Sequence, residues 1–394
     1  MESTTLYQLD SKGKTRIWSI SVEQNESTST IVAISGLLDG KRVESREEIK
    51  EGKNIGKANE TTPYEQAVLE ATSKIASKKK EGYVEDINNL QSSDTLGSGI
   101  KAPMLAEKYH PTGSQKKSKT LDQLKLRGQL IGLQRKIDGN RCNIHLTQTS
   151  ATFYTRSGDV MPYDFPLIAT SLIKTMVDNN LPDMVLDGEL YSSVVSFNAL
   201  NGALRKKTIT PDKKAILDMV KIHLYDVVSD EFYPVRYKKL QVFTSAKVHV
   251  EEYITLLATE ENIDKIHAQF VAEGYEGTMI RILTSPYEHK RTWNLCKYKG
   301  EETDEYEVVG VEKHALHSIV GAFVMKAPEG LVDRDGTPIT TFKAGTTGMT
   351  QGELAELYTN QSDYIGKMAT VRYFDLSEYG IPRFPKLIGF RSDL

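Results

Sequence analysis

The stretch Lys136-Ile137-Asp138-Gly139-Asn140-Arg141 sets an amine, a carboxylate and a guanidinium within six residues. Residues i and i+2 of an extended segment point to one side, so Lys136 and Asp138 face together, and Gly139 permits a tight turn behind them. A lysine amine is a nucleophile only when neutral. Its ordinary pKa of about 10.4 must therefore be lowered by its surroundings, and Arg135, Arg141 and a bound metal are candidates for that positive field. Alone, such a string is an ordinary surface turn. Four further segments change its weight. Asp187 and Glu189 in VLDGELY share one strand face and suit a divalent metal or a ribose hydroxyl. Glu276 in GYEGTMIRI adds a carboxylate. Lys297 and Lys299 in NLCKYKG share a face and suit a phosphate. Tyr225 in HLYDVV offers a ring to a base. Each has a bland alternative: an exposed hairpin edge, a solvated alternation, a core tyrosine. Together they supply what attack by a lysine on the α-phosphate of a nucleotide needs.

These residues require strands ending at a common cleft. The apolar alternation predicts strands in LIGLQRKI, NIHLTQT, TFYTR, MVLDGELY, KIHLYDVV and GTMIRIL. The stretch VEEYITLLATEENIDKIHAQFVAEG reads as one or two helices. After residue 302 the chain turns to β, with one short helix in TQGELAELYT, which fits a small barrel such as an OB-fold. Residues 1–90 read as a small α+β domain. TRIWSISV and TIVAIS are its strands, and its helix carries Thr62 as N-cap, Pro63 in the first turn and Glu65 closing a capping box. Ala67, Val68, Ala71 and Ile75 share one face of that helix. The Ser/Gly-rich segment 91–100 reads as a linker and 110–120 as a basic loop. The expected division is 1–90, a linker at 91–100, a catalytic domain at 101–300 and a barrel at 301–394, an α+β chain overall.

Of the 394 residues, 39% are hydrophobic and 26% charged, with a net charge of −3. Polyanion binding must therefore come from local basic runs: Lys78, Lys79 and Lys80; Lys116, Lys117 and Lys119; Arg205, Lys206 and Lys207. Most such runs are solvated faces. Cys142 and Cys296 are the only cysteines and lack metal-site spacing. No basic, apolar leader opens the chain, and no apolar run approaches the roughly 18 residues of a membrane span. The expectation is a soluble, intracellular protein without a membrane partner.

In order, K-I-D-G-N-R (136–141), T-R-S-G (155–158), L-D-G-E-L (186–190), L-Y-D-V-V (224–228), E-G-T-M-I-R (276–281) and L-C-K-Y-K (295–299) resemble the motifs of the ATP-dependent DNA ligases, within the covalent nucleotidyltransferase superfamily. The opening K-A-P-M-L-A (101–106) and the ending R-F-P-K-L-I-G-F-R-S-D (383–393) are similar too. The resemblance implies an adenylation domain followed by an OB-fold, ATP and Mg²⁺ (or Mn²⁺) as cofactors, and nicked double-stranded DNA as partner, with the protein a monomer. It implies that Lys136 is adenylylated and that the Gln134 backbone meets the adenine edge. Arg141 and Arg156 contact the nucleotide or the 5′-phosphate of the nick. Tyr225 stacks on adenine, and Lys297 and Lys299 hold the α-phosphate. Glu189 serves ribose or metal, Glu276 and Asp138 the metal. Arg391 orients pyrophosphate. Arg156 is the implied DNA contact, and Arg205, Lys78, Lys79 and Lys80, from the local basic runs, are expected to contact DNA as well.

Two departures stand out. Arg281 occupies a position where the family usually has lysine, which makes it a nucleotide-binding candidate with a fork in place of a point charge. The chain also stops at Leu394 after Arg391-Ser392-Asp393, where the family commonly continues into lysine. RNA ligases and mRNA-capping guanylyltransferases share the lysine, and a catalytically inactive nick-binding protein is a third reading. Arg141, T-R-S-G and the R-F-P ending favour DNA ligase, and the zinc cysteines of NAD-dependent ligases are missing. Residues 1–90 resemble, more faintly, a WGR domain through Trp18, the 52–59 stretch and the Lys80, Gly82, Tyr83 ending. The small size is similar to viral or phage ligases.

Overall fold

A computed structural model describes residues 1, 3–113, 117–206, 208–300, 302–314, 318–374 and 376–390. The chain divides into two compact units, Met1–Tyr298 and Lys299–Leu394.

The first unit opens with a four-stranded antiparallel meander: Thr4–Leu9, Thr15–Gln24, Ser29–Leu37 and Arg42–Ile49. Trp18, Ile20 and Val22 alternate inward from the second strand, as one-sided burial of a sheet requires. The helix Pro63–Lys80 covers that face with Ala67 and Ala71, whose small side chains allow close approach. Its capping box is present: the Glu65 N–H donates to Thr62 Oγ1 at 3.2 Å and the Thr62 N–H donates to Glu65 Oε2 at 2.8 Å. The segment read as a linker is hydrogen-bonded on both sides. The Leu9 N–H donates to the Gln91 carbonyl at 3.0 Å, the Gly97 N–H to that of Lys80 at 2.9 Å, and the Leu96 N–H to that of Ile100 at 2.8 Å. Residues 1–90 thus lie in the same compact unit as the candidate site.

Two further sheets form the rest of this unit. One is ordered Val248–Val250, Lys221–Val227, Met184–Tyr191, Asn140–Leu146, Ala151–Thr155. The other is ordered Tyr253–Leu257, Leu130–Lys136, Gly277–Ile282, Arg291–Lys299, Leu105–Tyr109, Ser118–Lys119. Leu186 and Leu190, on the face opposite Glu189, join Ile144, Ile222 and Leu224 in the main core beneath the first of these sheets. The expected helical stretch after residue 250 begins instead as a strand. The β-rich run Tyr253–Leu257 pairs antiparallel with Leu130–Gln134, and the helix Glu260–Ala272 starts only at the Thr259 cap, whose Oγ1 accepts from the Asn262 N–H at 3.1 Å. An open strand edge was available, and pairing outweighed the local helical pattern.

The second unit is a closed five-stranded barrel: Glu302–Lys313, Val320–Lys326, Thr341–Thr346, Lys386–Phe390, Met368–Tyr373. Phe323, Met325, Val371 and Leu387 fill it, and the helix Gln351–Thr359 contributes Leu354. Among the described residues, no helix is long and apolar enough to cross a membrane.

Candidate active site

Lys136 is the last residue of its strand, and its side chain enters a cleft of about 190 Å³ lined from both large sheets. Gln134, Met279, Arg281, Leu295 and Lys297 come from one sheet; Arg141, Glu189, Tyr225 and the turn residue Arg156 belong to the other side. The wall mixes apolar surface with a few charged groups, as small-molecule sites do.

The Lys136 ammonium pairs with the Glu276 carboxylate, and both side chains are largely buried. The pairing follows from register: Gly277 stands opposite Lys136, and the Glu276 N–H donates to the Lys136 carbonyl at 3.0 Å. Gly139 serves a different purpose from the expected turn. A Cβ there would stand 2.4 Å from the Leu190 carbonyl oxygen and 2.8 Å from Glu189 Cγ, so glycine is what lets the loop lie against Glu189. Burial raises the Glu189 carboxyl to about 7, against the pull of Lys136 and Arg141 and with the help of the negative Asp187 and Glu276. Asp138 is not among the cleft-lining residues, because the strand ends at Lys136 and the i, i+2 rule ends with it.

Asp187 does not present itself to the cleft as half of a carboxylate pair. It is buried and accepts from Arg141 Nε at 2.8 Å, Arg141 Nη2 at 2.5 Å and the Tyr287 hydroxyl at 2.6 Å. Arg141 also donates to the Met104 carbonyl at 2.7 Å. Burial works against its charge, and Asp187 more than restores it, so the guanidinium is held well above its usual range. Arg141 lines the cleft as a fixed cation, with most of its donors already committed. Tyr225 spans toward it: the hydroxyl donates to the Gly188 carbonyl at 3.2 Å, and burial keeps the phenol protonated.

Gln134 lines the cleft, and both ends of its side-chain amide are hydrogen-bonded. Its Nε2 donates to the Glu251 carbonyl at 2.9 Å, and its Oε1 accepts from Arg281 Nε at 2.5 Å. Arg281 donates through Nη1 to Asp226 at 2.8 Å, and Arg236 reaches the same carboxylate through Nε at 2.7 Å. The arginine at position 281 is thus the buried tie between Asp226 and Gln134, as well as a cleft residue.

Lys297 and Arg156 both line the cleft. Partial desolvation and the positive Arg291 and Arg141 lower the Arg156 pKa, the sign of a cation-rich patch suited to anions. Lys299 belongs to the second unit, where its Nζ lies 5.3 Å from the Phe374 ring centroid. Arg391 lies outside the described residues, as do Lys116 and Lys207. Arg205 caps the C-terminus of the helix Phe197–Leu204, exposed and away from the cleft lining. Lys78, Lys79 and Lys80 face Glu81 at 2.6 Å, Glu85 at 2.7 Å and Asp159 at 2.8 Å, so each has a local counter-charge. Sequence reasoning does not single out Arg291, which lines the cleft and donates to the Ala106 carbonyl at 2.6 Å. A register irregularity between Thr292 and Cys296 breaks the alternation from Arg291 to Lys297, so strand parity gives no signal for it.

Residues 103–299 match the family model described as ATP dependent DNA ligase domain, half of the chain. The DNA ligase of African swine fever virus is 25% identical over 373 residues, covering 90% of this chain and 81% of the relative. The DNA ligase of Pyrobaculum calidifontis is 24% identical over 251 residues, covering 57% of this chain and 41% of the relative. Among solved structures, Pmar-Lig_PreS3 aligns with a TM-score of 0.58 at 20% identity over 74% of this chain and 67% of that one. A Lig E DNA ligase aligns at 0.53 and 20% identity, over 74% of this chain and 100% of that one. These two likenesses concern the fold. With the family model spanning the segments that carry Lys136, Glu189, Tyr225, Glu276 and Lys297, the chain belongs to the ATP-dependent DNA ligase family.

Proposed function

We propose that the cleft binds ATP and that Lys136 attacks its α-phosphate. The Nζ–phosphorus bond forms while the bond from that phosphorus to the bridging oxygen breaks; the amine loses a proton and pyrophosphate leaves. The 5′-phosphate at a nick in duplex DNA then displaces the lysine and takes the AMP. The neighbouring 3′-hydroxyl attacks that 5′-phosphate, AMP departs and the strand is sealed. The observation that carries this reading is an amine in a cleft, flanked by the carboxylates Glu276 and Glu189 and by the cations Arg156, Arg291 and Lys297.

On this reading Lys297, Arg156 and Arg291 meet phosphate oxygens, and Tyr225 and Gln134 flank the base. Glu276 and Glu189 suit a divalent metal, since Glu189 titrates high partly because negative neighbours crowd it, and a cation would relieve that. When bound, Mg²⁺ or Mn²⁺ would neutralise phosphate charge. The closed barrel supports reading residues 301–394 as an OB-fold. Residues 1–90 are assigned to duplex contact, with Lys78, Lys79 and Lys80 exchanging their carboxylate partners for phosphates.

The test is a joining assay on nicked duplex with Mg²⁺ and either ATP or GTP. Sealing with ATP alone is expected. Sealing confined to RNA, or nucleotide transfer with GTP alone, would replace this reading with an RNA ligase or a capping enzyme.

A further inference from the structure

His223, His249 and Glu251 offer three ligand atoms that all lie within 4.8 Å of one another. The sheet builds this cluster directly. His223, on Lys221–Val227, is the register partner of His249, on the parallel strand Val248–Val250. Glu251 follows His249 by two residues, and its N–H donates to the Leu224 carbonyl at 2.8 Å, which fixes its position against the same strand.

One carboxylate oxygen serves both rings. His223 Nδ1 stands 2.7 Å and His249 Nε2 3.2 Å from Glu251 Oε1. The other oxygen, Oε2, has no hydrogen-bond partner among the described residues, although the Glu251 side chain is only 2% exposed. A buried carboxylate oxygen without a partner is costly, and such exceptions call for an explanation such as an ion. His223 is 13% exposed and His249 52%. The cluster is therefore anchored at its base and open to solvent at one side.

We propose that His223, His249 and Glu251 bind one divalent transition-metal cation of the zinc class. Two imidazole nitrogens and a carboxylate oxygen are a frequent three-ligand zinc set, with water completing the tetrahedron from the open side. Imidazole donors disfavour Mg²⁺, which takes oxygen ligands. The site thus differs in metal preference from the carboxylates beside Lys136. It also differs in place: none of the three residues lines the nucleotide cleft. The two are connected through the backbone, since the Glu251 carbonyl accepts from Gln134 Nε2 at 2.9 Å and His223 is the register partner of Glu189. A metal fixing Glu251 would brace the cleft wall from behind.

The experiment uses the full chain, stripped with EDTA and titrated with Co²⁺ and then Zn²⁺. One equivalent of Co²⁺ should give visible d–d absorption, and Zn²⁺ should displace it and raise the melting temperature. His249→Ala removes an exposed ligand and should weaken binding by roughly 100-fold or more, since even partners behind the ligands cost up to about that much. Glu251→Gln should do the same, while Glu276→Ala should leave the titration unchanged. The proposal is overturned if the wild-type chain takes up no stoichiometric metal. It is overturned equally if His249→Ala and Glu251→Gln bind as wild type, or if Glu276→Ala alone abolishes uptake.

Discussion

Lys136 and Glu276 are joined twice: their side chains form an ion pair, and the Glu276 N–H donates to the Lys136 carbonyl at 3.0 Å. The backbone bond survives any change of side chain, so Glu276→Ala should fold normally while releasing the ammonium and removing a carboxylate suited to the metal. Adenylylation is expected to slow by roughly 100-fold or more, the scale of losing one positioned charged group, with a higher Mg²⁺ requirement. Rates measured across a Mg²⁺ titration check this; an unchanged metal dependence would make Glu276 a structural residue.

Arg281→Lys restores the residue the family usually carries and should nonetheless be harmful. Arg281 is 4% exposed and holds Asp226 through Nη1 and Gln134 through Nε. A single ammonium cannot occupy both positions. One buried partner is left unsatisfied, at about 1–3 kcal/mol, and Gln134 is freed to turn. Urea unfolding should show the loss and ATP affinity should fall with it. A variant as stable as wild type would show that the fork contributes nothing.

What is legible in the sequence, and what is not, divides along these same interactions. Lys136, Glu189, Tyr225 and Lys297 stand in strands that line the cleft, and the alternation that turns each to one face of its strand is a local property. The closures behind them are not local. Asp187 meets Tyr287 across 100 positions of chain, and Arg281 meets Gln134 across 147. No spacing rule foretells such partners, so alternation alone points to a carboxylate pair where Asp187 is in fact consumed by Arg141 and Tyr287. Gly139 shows the same limit: its glycine answers the Leu190 carbonyl, a neighbour from another strand. Tyr253–Leu257 lies in a stretch that reads as helix, yet its state is decided by a strand edge far earlier in the chain, where Leu133 stands opposite Ile254.

Glu189 should impose a pH dependence on stability. Its carboxyl is raised to about 7 in the folded chain, above the usual value near 4.5. Between those values the native state holds the extra proton, so its contribution is fully present at low pH and is lost as pH rises through about 7. Glu189→Gln should therefore gain stability relative to wild type at pH 8 and show little gain at pH 5. Melting temperatures of both proteins across this range check the sign; a constant difference would mean that Glu189 titrates normally.

Lys78, Lys79 and Lys80, replaced together by alanine, should leave adenylylation near wild type, since none lines the cleft. Binding to nicked duplex should weaken. The slope of log affinity against log salt should flatten by up to about 2.7, at ~0.9 for each phosphate no longer neutralised. Unchanged binding at every salt concentration would confine the three lysines to their pairs with Glu81, Glu85 and Asp159.

On the proposed mechanism Lys136 is the residue that carries AMP. Intact-protein mass measured after incubation with ATP and Mg²⁺ tests it most directly. The wild-type chain should gain the mass of one AMP, and pyrophosphate should remove it. Lys136→Ala should gain nothing while keeping the wild-type far-ultraviolet circular dichroism spectrum. An adenylylated Lys136→Ala protein would contradict the account, because the phosphoramidate would then stand on another residue.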